Sequence, residues 1–261
     1  MHLEVITRKP KKENGSTPLL FVHGGWHGAW CWEPFQSYFA EQGYVSHALS
    51  LRGHGNSEGR ERLRWLRTVD FVADVVETVT RLPETPVLIG HCAGSYVIQK
   101  YLERYTAPAA VHMAPVPLSG SSKMFLRLGL RHPWQMVKNN LTLSPYALIE
   151  TPSLARDALF SADMPDETFN RHFAKLQQES YLFGWETLLA PPRLKGKDLP
   201  PMLLLGALND RFFSRVEIEK TARAYRAEAD FFPDMAHDMM LEKDWMKVAE
   251  RIVKWLRENK L

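Results

Sequence analysis

Four short stretches that each follow an apolar run carry the side-chain types of an acyl-transfer site. They are HGG at 23–25, GHCAG at 90–94, LND at 208–210 and MAHD at 235–238. Together they supply a thiol, a carboxylate and imidazoles, which are the groups that nucleophilic catalysis uses. Because a parallel α/β sheet presents functional groups at the carboxyl ends of its strands, we expect the four stretches to meet at one edge of a sheet.

The segment GHCAG places a cysteine between two glycines, where a strand is predicted to run straight into a helix. So sharp a reversal leaves no room for side chains on its flanks and exposes the residue between them, as in a nucleophile elbow of the form GxSxG. Cys92 occupies the serine position, and the positive end of the helix dipole favours its thiolate. We therefore predict that Cys92 is a nucleophile, whereas Ser95, one helical turn further on, packs inside the elbow.

The elements that must position these groups follow from the hydrophobic pattern of the 261 residues. Short apolar runs such as PLLFV, VLIG and MLLLGA alternate with helical patterns, one of them from Ala29 to Gln42. This alternation predicts a mostly parallel central sheet flanked by helices. The stretch 115–199 is aromatic, helical and punctuated by proline instead. We therefore predict an α/β core formed by residues 1–114 and 200–261, with a helical cap insertion at 115–199.

Composition and charge limit the classes of partner and cofactor. No apolar run reaches the roughly 18 residues that cross a bilayer, and the polar N-terminus lacks a secretory signal, so a cytoplasmic protein without a membrane partner is expected. The small net charge of +3 gives little support to nucleic-acid binding. The two cysteines, Cys31 and Cys92, have no Cys/His spacing typical of zinc sites. We expect free thiols, no metal and no organic cofactor.

Beyond the elbow, further motifs resemble those of the α/β-hydrolase superfamily, and the resemblance covers nearly all of the chain. FVHGGWHGAWCWEPF is similar to the HGxxHGAW segment of the plant methyl-esterase and hydroxynitrile-lyase branch, and LRGHGNSEG is similar to the DxRGHGxS loop of bacterial members. GALND and PDMAHDMMLE resemble the loops that carry the catalytic acid and histidine. The order nucleophile, acid, histidine is that of the α/β-hydrolase fold, which the resemblance therefore implies.

The resemblance also implies a role for each site residue. Cys92 would attack an acyl carbon, His237 would accept its proton and later activate water, and Asp210 would orient His237. The backbone N–H groups of Gly25 and Ala93 would form the oxyanion hole. The cysteine departs from the usual serine, although cysteine elbows occur in dienelactone hydrolases and polyhydroxyalkanoate synthases.

The surroundings of these residues carry weaker predictions. Trp26 and Met239 are expected to contact the substrate, in a pocket formed partly by the cap. Gly24 stands where the lyase branch carries threonine, which favours hydrolysis over cyanohydrin cleavage. Asp234 and Asp238 compete with Asp210 as the acid, but a partner from a separate strand end is better placed to orient His237. Three further histidines are expected to support the loops: His23, His54 and His91.

These observations predict a hydrolase that cleaves a carboxylic ester, thioester or lactone of a small, largely apolar acyl group through a covalent acyl-enzyme. One alternative is an acyltransferase, because a thioester on Cys92 can be passed to an acceptor other than water. A second is a ligand-binding module without catalysis. Four basic positions are expected to form a solvated helix face, and they give weak support to docking of a carrier protein or coenzyme A thioester: Lys123, Arg127, Arg131 and Lys138.

Overall fold

The central sheet positions every motif described above. The computed structural model describes residues 1–12, 15–193 and 199–261, and over these ranges it contains one seven-stranded sheet in the order β1-β3-β2-β4-β5-β6-β7. The strands are β1 Val5–Arg8, β2 Leu19–Val22, β3 Ser46–Leu49, β4 Val87–His91, β5 Ala110–Met113, β6 Met202–Ala207 and β7 Glu228–Phe232. Strand β1 is antiparallel to β3, and the other pairs are parallel. The predicted mostly parallel sheet is confirmed.

Burial explains why these runs form strands. Every residue of β2, β3, β4, β5 and β6 is buried. Continuous apolar runs are what a parallel sheet covered on both faces requires. The edge strands β1 and β7 are only partly buried.

Ten α-helices occur in the described ranges. They are α1 Glu33–Glu41, α2 Thr68–Arg81, α3 Cys92–Leu102, α4 Ser122–Arg131, α5 Pro133–Thr142, α6 Pro152–Leu159, α7 Asp166–Phe173, α8 Tyr181–Leu189, α9 Arg215–Tyr225 and α10 Trp245–Glu258. None of these helices has the length and apolar character needed to cross a membrane.

The stretch between β5 and β6 is helical. Its described residues form α4 to α8 and a 3-10 helix at Pro145–Leu148, and they contain no strand. We refer to α4–α8 as the cap helices. Residues 194–198 of the predicted insertion lie outside the described residues.

One predicted helix differs from the structure. The region from Ala29 to Gln42 contains a 3-10 helix at Ala29–Trp32 followed by α1, not one continuous α-helix. Pro34 lies in the first turn of α1, where its missing N–H costs no helical hydrogen bond, so α1 begins there. The helix is followed by Gly43, whose φ of 92° suits a helix end.

Candidate active site

Cys92 lies at a strained turn between β4 and α3. Its φ is +47°, a left-handed conformation that non-glycine residues seldom adopt. A Cβ atom at Gly94 would lie 2.3 Å from the carbonyl oxygen of Val22, and one at Gly90 would lie 2.7 Å from the backbone nitrogen of Ser95. The flanking glycines are therefore required by close backbone approach, as expected for a nucleophile elbow.

His237 and Asp210 come from loops after neighbouring strands, and they meet next to this turn. Asp210 follows β6 and His237 follows β7, and His237 Nδ1 lies 2.9 Å from Asp210 Oδ2, with both side chains buried. The other carboxylate oxygen of Asp210 accepts hydrogen bonds from the backbone N–H groups of Phe212 (2.6 Å) and Phe213 (3.2 Å). Because Asp210 is fixed by backbone donors, its second oxygen can hold the His237 ring in one orientation.

The two competing acids lie elsewhere. Asp238 Oδ2 lies 3.0 Å from His27 Nε2, and Asp234 is exposed to solvent. The structure therefore brings Asp210, and neither of these residues, to His237 Nδ1.

Cys92 and Asp210 both act on the charge of the His237 ring. Burial lowers the pKa of His237, but Asp210 and Cys92 together raise this pKa well above its ordinary value. Within the described ranges no group makes a hydrogen bond of ordinary geometry to His237 Nε2, and Cys92 is near enough to the ring to contribute to the rise in its pKa. The raised pKa favours an imidazolium at His237 beside the Cys92 side chain.

The loop that contains Gly24 and Gly25 faces Cys92 from β2. The Leu51 N–H donates to His23 Nε2 (3.1 Å), so His23 Nδ1 carries the ring proton and donates it to the carbonyl of Gly24 (2.7 Å). That carbonyl and the N–H of Gly25 belong to the same peptide group, so this bond also fixes the direction of the Gly25 N–H. Gly25 and Ala93 both line the cavity above Cys92.

Gly24 is required by the contact between this loop and the elbow. A Cβ atom at Gly24 would lie 2.6 Å from His91 Nδ1 and 3.2 Å from Cys92 Cβ. Threonine, the residue of the lyase branch, has no room at this position.

A cavity of about 90 Å³ lies between Cys92 and the cap helices. Trp26 lines it, as predicted, but Met239 is fully buried and is not among the lining residues that the structure describes. The chain turns back directly after His237, where the Met239 N–H donates to the His237 carbonyl, so the Met239 side chain packs in the core. The lining is mostly apolar and includes Val116, Phe125, Leu128, Phe183, Phe212 and Phe213.

Glu179 is a cavity residue that the sequence analysis missed. Its Oε2 accepts a hydrogen bond from the Trp26 N–H (3.3 Å) and lies 3.2 Å from His54 Nε2. His54 Nδ1 faces the Arg52 carbonyl at 3.1 Å, so both ring nitrogens face acceptors and the ring is an imidazolium when Glu179 is ionised. Burial lowers the pKa of His54, but Glu179, with smaller contributions from the Arg52 carbonyl and Asp74, raises it above its ordinary value. Glu179 thus ties the cap to the HGG and RGHG loops.

A second buried hydrogen-bond network joins the end of β4 to the loops that follow β2 and β7. His27 Nδ1 donates to the Gly25 carbonyl (2.6 Å) and its Nε2 pairs with Asp238, while His91 Nε2 donates to the His237 carbonyl (2.9 Å). Burial raises the pKa of Asp238, but His27, with smaller contributions from His91 and His237, holds it below its ordinary value. The network fixes the backbone on both sides of Cys92, and the pairing of Asp238 with His27 had no signal in the sequence.

His91, His237 and Asp238 also present possible metal-ligand atoms within 4.8 Å of one another. Each of them already has a protein partner, namely the His237 carbonyl, Asp210 and His27. We assign these residues to the hydrogen-bond networks.

Ser95 is fully buried and its hydroxyl lies 2.8 Å from His112 Nδ1, so it packs inside the elbow as predicted.

Known proteins resemble this chain in sequence and in fold. Residues 19–251 match the model of the alpha/beta hydrolase family. The chain is 29% identical to norfluorocurarine synthase 1 of Strychnos nux-vomica over 106 residues, 40% of this chain and 37% of the synthase. It is 30% identical to methylesterase 10 of Arabidopsis thaliana over 96 residues, 36% of this chain and 34% of that protein. The matched stretches thus span little more than a third of these two relatives.

A solved structure extends the similarity over the whole fold. The esterase EaEST from Exiguobacterium antarcticum superimposes with a TM-score of 0.73 at 14% identity, covering 98% of this chain and 95% of the esterase. At this identity the likeness concerns the fold alone, whereas the family model matches most of the chain. The chain belongs to the alpha/beta hydrolase family.

Proposed function

We propose that this protein is an ester hydrolase that uses Cys92 as its nucleophile, with His237 and Asp210 completing a catalytic triad. The observation that carries the proposal is the position of Cys92, at a left-handed turn beside the buried His237–Asp210 pair and below an apolar cavity. The esterase and methylesterase activities named for its relatives agree with this reaction.

The proposed reaction has two steps. The Cys92 thiolate attacks the ester carbonyl, and the oxyanion is bound by the N–H groups of Gly25 and Ala93. The carbon–oxygen bond to the leaving alcohol breaks, the alcohol takes a proton from His237, and a thioester remains on Cys92. Water then gives a proton to His237 and attacks the thioester, the carbon–sulfur bond breaks, and the acid is released with the Cys92 thiolate and the His237 imidazolium restored.

The cavity beside Cys92 is suited to a substrate whose acyl group is small and apolar. Its volume of about 90 Å³ is roughly that of three water molecules in the liquid. The esterase and methylesterase activities named for the relatives support hydrolysis over transfer to a carrier protein or coenzyme A.

The test is turnover of a panel of aryl esters, thioesters and lactones by the wild type and Cys92→Ala, with Cys31→Ala as the matched control. Cys31 is buried in the core and should tolerate alanine without loss of turnover. We expect short-chain esters to give the highest kcat/KM, and Cys92→Ala to lose about 1,000-fold or more. The proposal is wrong if no ester of the panel is hydrolysed, or if an added alcohol takes the acyl group in preference to water.

A further inference from the structure

Helices α4 and α5 expose a row of large apolar side chains. Their members are exposed by 47 to 78%, and we call them the cap face: Leu126, Leu130, Trp134, Val137 and Leu141. The residues on α4 are four apart, and those on α5 follow at spacings of three and four, so each helix presents one apolar side. Helix α4 packs against α5, so the two rows lie on adjoining helices. Such a cluster is larger than the scattered apolar residues of an ordinary surface.

Every charged side chain on α4 and α5 is a lysine or an arginine. No Asp or Glu occurs from Arg104 to Ile149, whereas α4 and α5 carry four basic residues: Lys123, Arg127, Arg131 and Lys138. Three of them reach carboxylates on neighbouring segments, Arg127 to Glu217, Arg131 to Asp157 and Lys138 to Glu150, yet each still exposes more than a third of its side chain. Glu217 is buried and holds Arg127, but the pairs of Arg131 and Lys138 are partly exposed on both sides and therefore weak, so these two cations remain available to anionic groups.

The inner side of the same helix lines the catalytic cavity. Met124, Phe125 and Leu128 of α4 are lining residues, and Phe125 stacks on Trp185 of α8 with ring centroids 6.3 Å apart. Helix α4 therefore separates the space above Cys92 from whatever contacts the cap face.

We propose that the cap face docks on the surface of an anionic lipid bilayer. Leucine and tryptophan on one side of a helix with lysine and arginine beside them are typical of helices that lie in the membrane interface. Docking there needs no membrane-spanning segment, so it is compatible with the sequence and with the helices described, although the sequence analysis expected no membrane partner.

The charge pattern argues against a second copy of the chain as the occupant. A two-fold contact through the cap face would bring the same basic side chains of both copies together. Like charges at an interface oppose association, whereas phosphate headgroups complement them.

The test is flotation of the full chain with vesicles, because this readout does not require catalysis and so can fail independently of the proposed function. We expect the protein to float with vesicles of phosphatidylcholine and phosphatidylglycerol, to float much less with phosphatidylcholine alone, and to be released by high salt. Leu130→Glu and Trp134→Glu should each weaken flotation by about tenfold or more. Neither residue lines the cavity, so turnover of a soluble ester should be unchanged and would show that the variants are folded.

Tyr105→Glu is the matched control. Tyr105 is an exposed aromatic residue that follows α3 and is not part of the cap face. It should float as the wild type does. The proposal is overturned if the wild type does not float with anionic vesicles, or if Tyr105→Glu weakens flotation as much as Trp134→Glu. It is also overturned if sedimentation shows a dimer that Trp134→Glu dissociates and no vesicle binding.

Discussion

The charge state of His237 sets the pH range in which the proposed site can act. Its raised pKa has two contributors that oppose the effect of burial, Asp210 and Cys92. In the proposed reaction the His237 imidazolium protonates the leaving alcohol, and this imidazolium is present below the raised pKa and is lost as pH rises through it. The alkaline limit of activity should therefore lie above the ordinary histidine range.

The variant Asp210→Asn tests whether the Asp210 carboxylate raises the pKa of His237 and so sets the alkaline limit. Without the charge of Asp210, the effect of burial is less opposed, so the pKa of His237 falls and the alkaline limit of kcat/KM moves to lower pH. The loss of orientation should also lower kcat by about 1,000-fold or more. The measurement is a pH–rate profile with a short-chain aryl ester.

Asp234→Asn is the control for this variant, since Asp234 lies three residues before His237 and its side chain is exposed. It should keep the wild-type profile. An Asp210→Asn profile with an unchanged alkaline limit would contradict the assignment of Asp210 as the partner that raises the pKa of His237.

At the level of elements, the segment before α8 holds the cap against the core. Gln177 donates its backbone N–H to the Trp26 carbonyl (2.9 Å) and its side-chain amide to the Gly53 carbonyl (3.1 Å), and Glu179 reaches Trp26 and His54. Trp26 has a φ of +67°, a strained conformation that these bonds help to retain. The segment therefore fixes the loop that carries Gly25.

Glu179→Gln should weaken this attachment in a pH-dependent way. The pKa of His54 is raised in the folded protein, so its pairing with Glu179 stabilises the fold fully below the ordinary histidine pKa of about 6.5 and loses this effect as pH rises through the raised value. The substitution should lower the free energy of unfolding by about 3 kcal/mol at the acidic end of this range. The difference should shrink as pH rises. Urea denaturation at a series of pH values measures it.

Glu167→Gln on α7 provides the comparison, because this carboxylate is exposed and its loss should change the free energy of unfolding by less than about 0.5 kcal/mol at every pH. A constant penalty for Glu179→Gln across the pH series would show that the pairing with His54 is not its cause.

At the scale of the whole molecule, residues that follow apolar runs were predictable, and residues placed by the cap were not. Cys92, Asp210 and His237 each come after a run that forms β4, β6 or β7, so the parallel sheet brings them to one edge. Glu179 follows no such run, and its partner His54 lies 125 residues away in the sequence. Only the fold of the cap across that edge brings the two together.

Residue types that suit a site or a surface could be recognised in the sequence, but the side of a helix or loop toward which each side chain points could not. The basic positions of α4 and α5 were expected to form a solvated helix face, and the structure exposes the apolar residues beside them as well, for which the sequence analysis made no prediction. Met239 was expected at the substrate and packs in the core. Both differences depend on which side of an element faces the sheet, and that is fixed by packing between distant segments.

The central claim is that the acyl group is carried on the sulfur of Cys92, and intact-mass spectrometry after brief exposure to an activated short-chain ester tests it most directly. The wild type and Cys31→Ala should each gain a single acyl group per chain, located on the peptide that contains Cys92, and Cys92→Ala should gain none. Acylation of Cys92→Ala to the same extent, or no acylation of the wild type while the ester is being hydrolysed, would contradict the account.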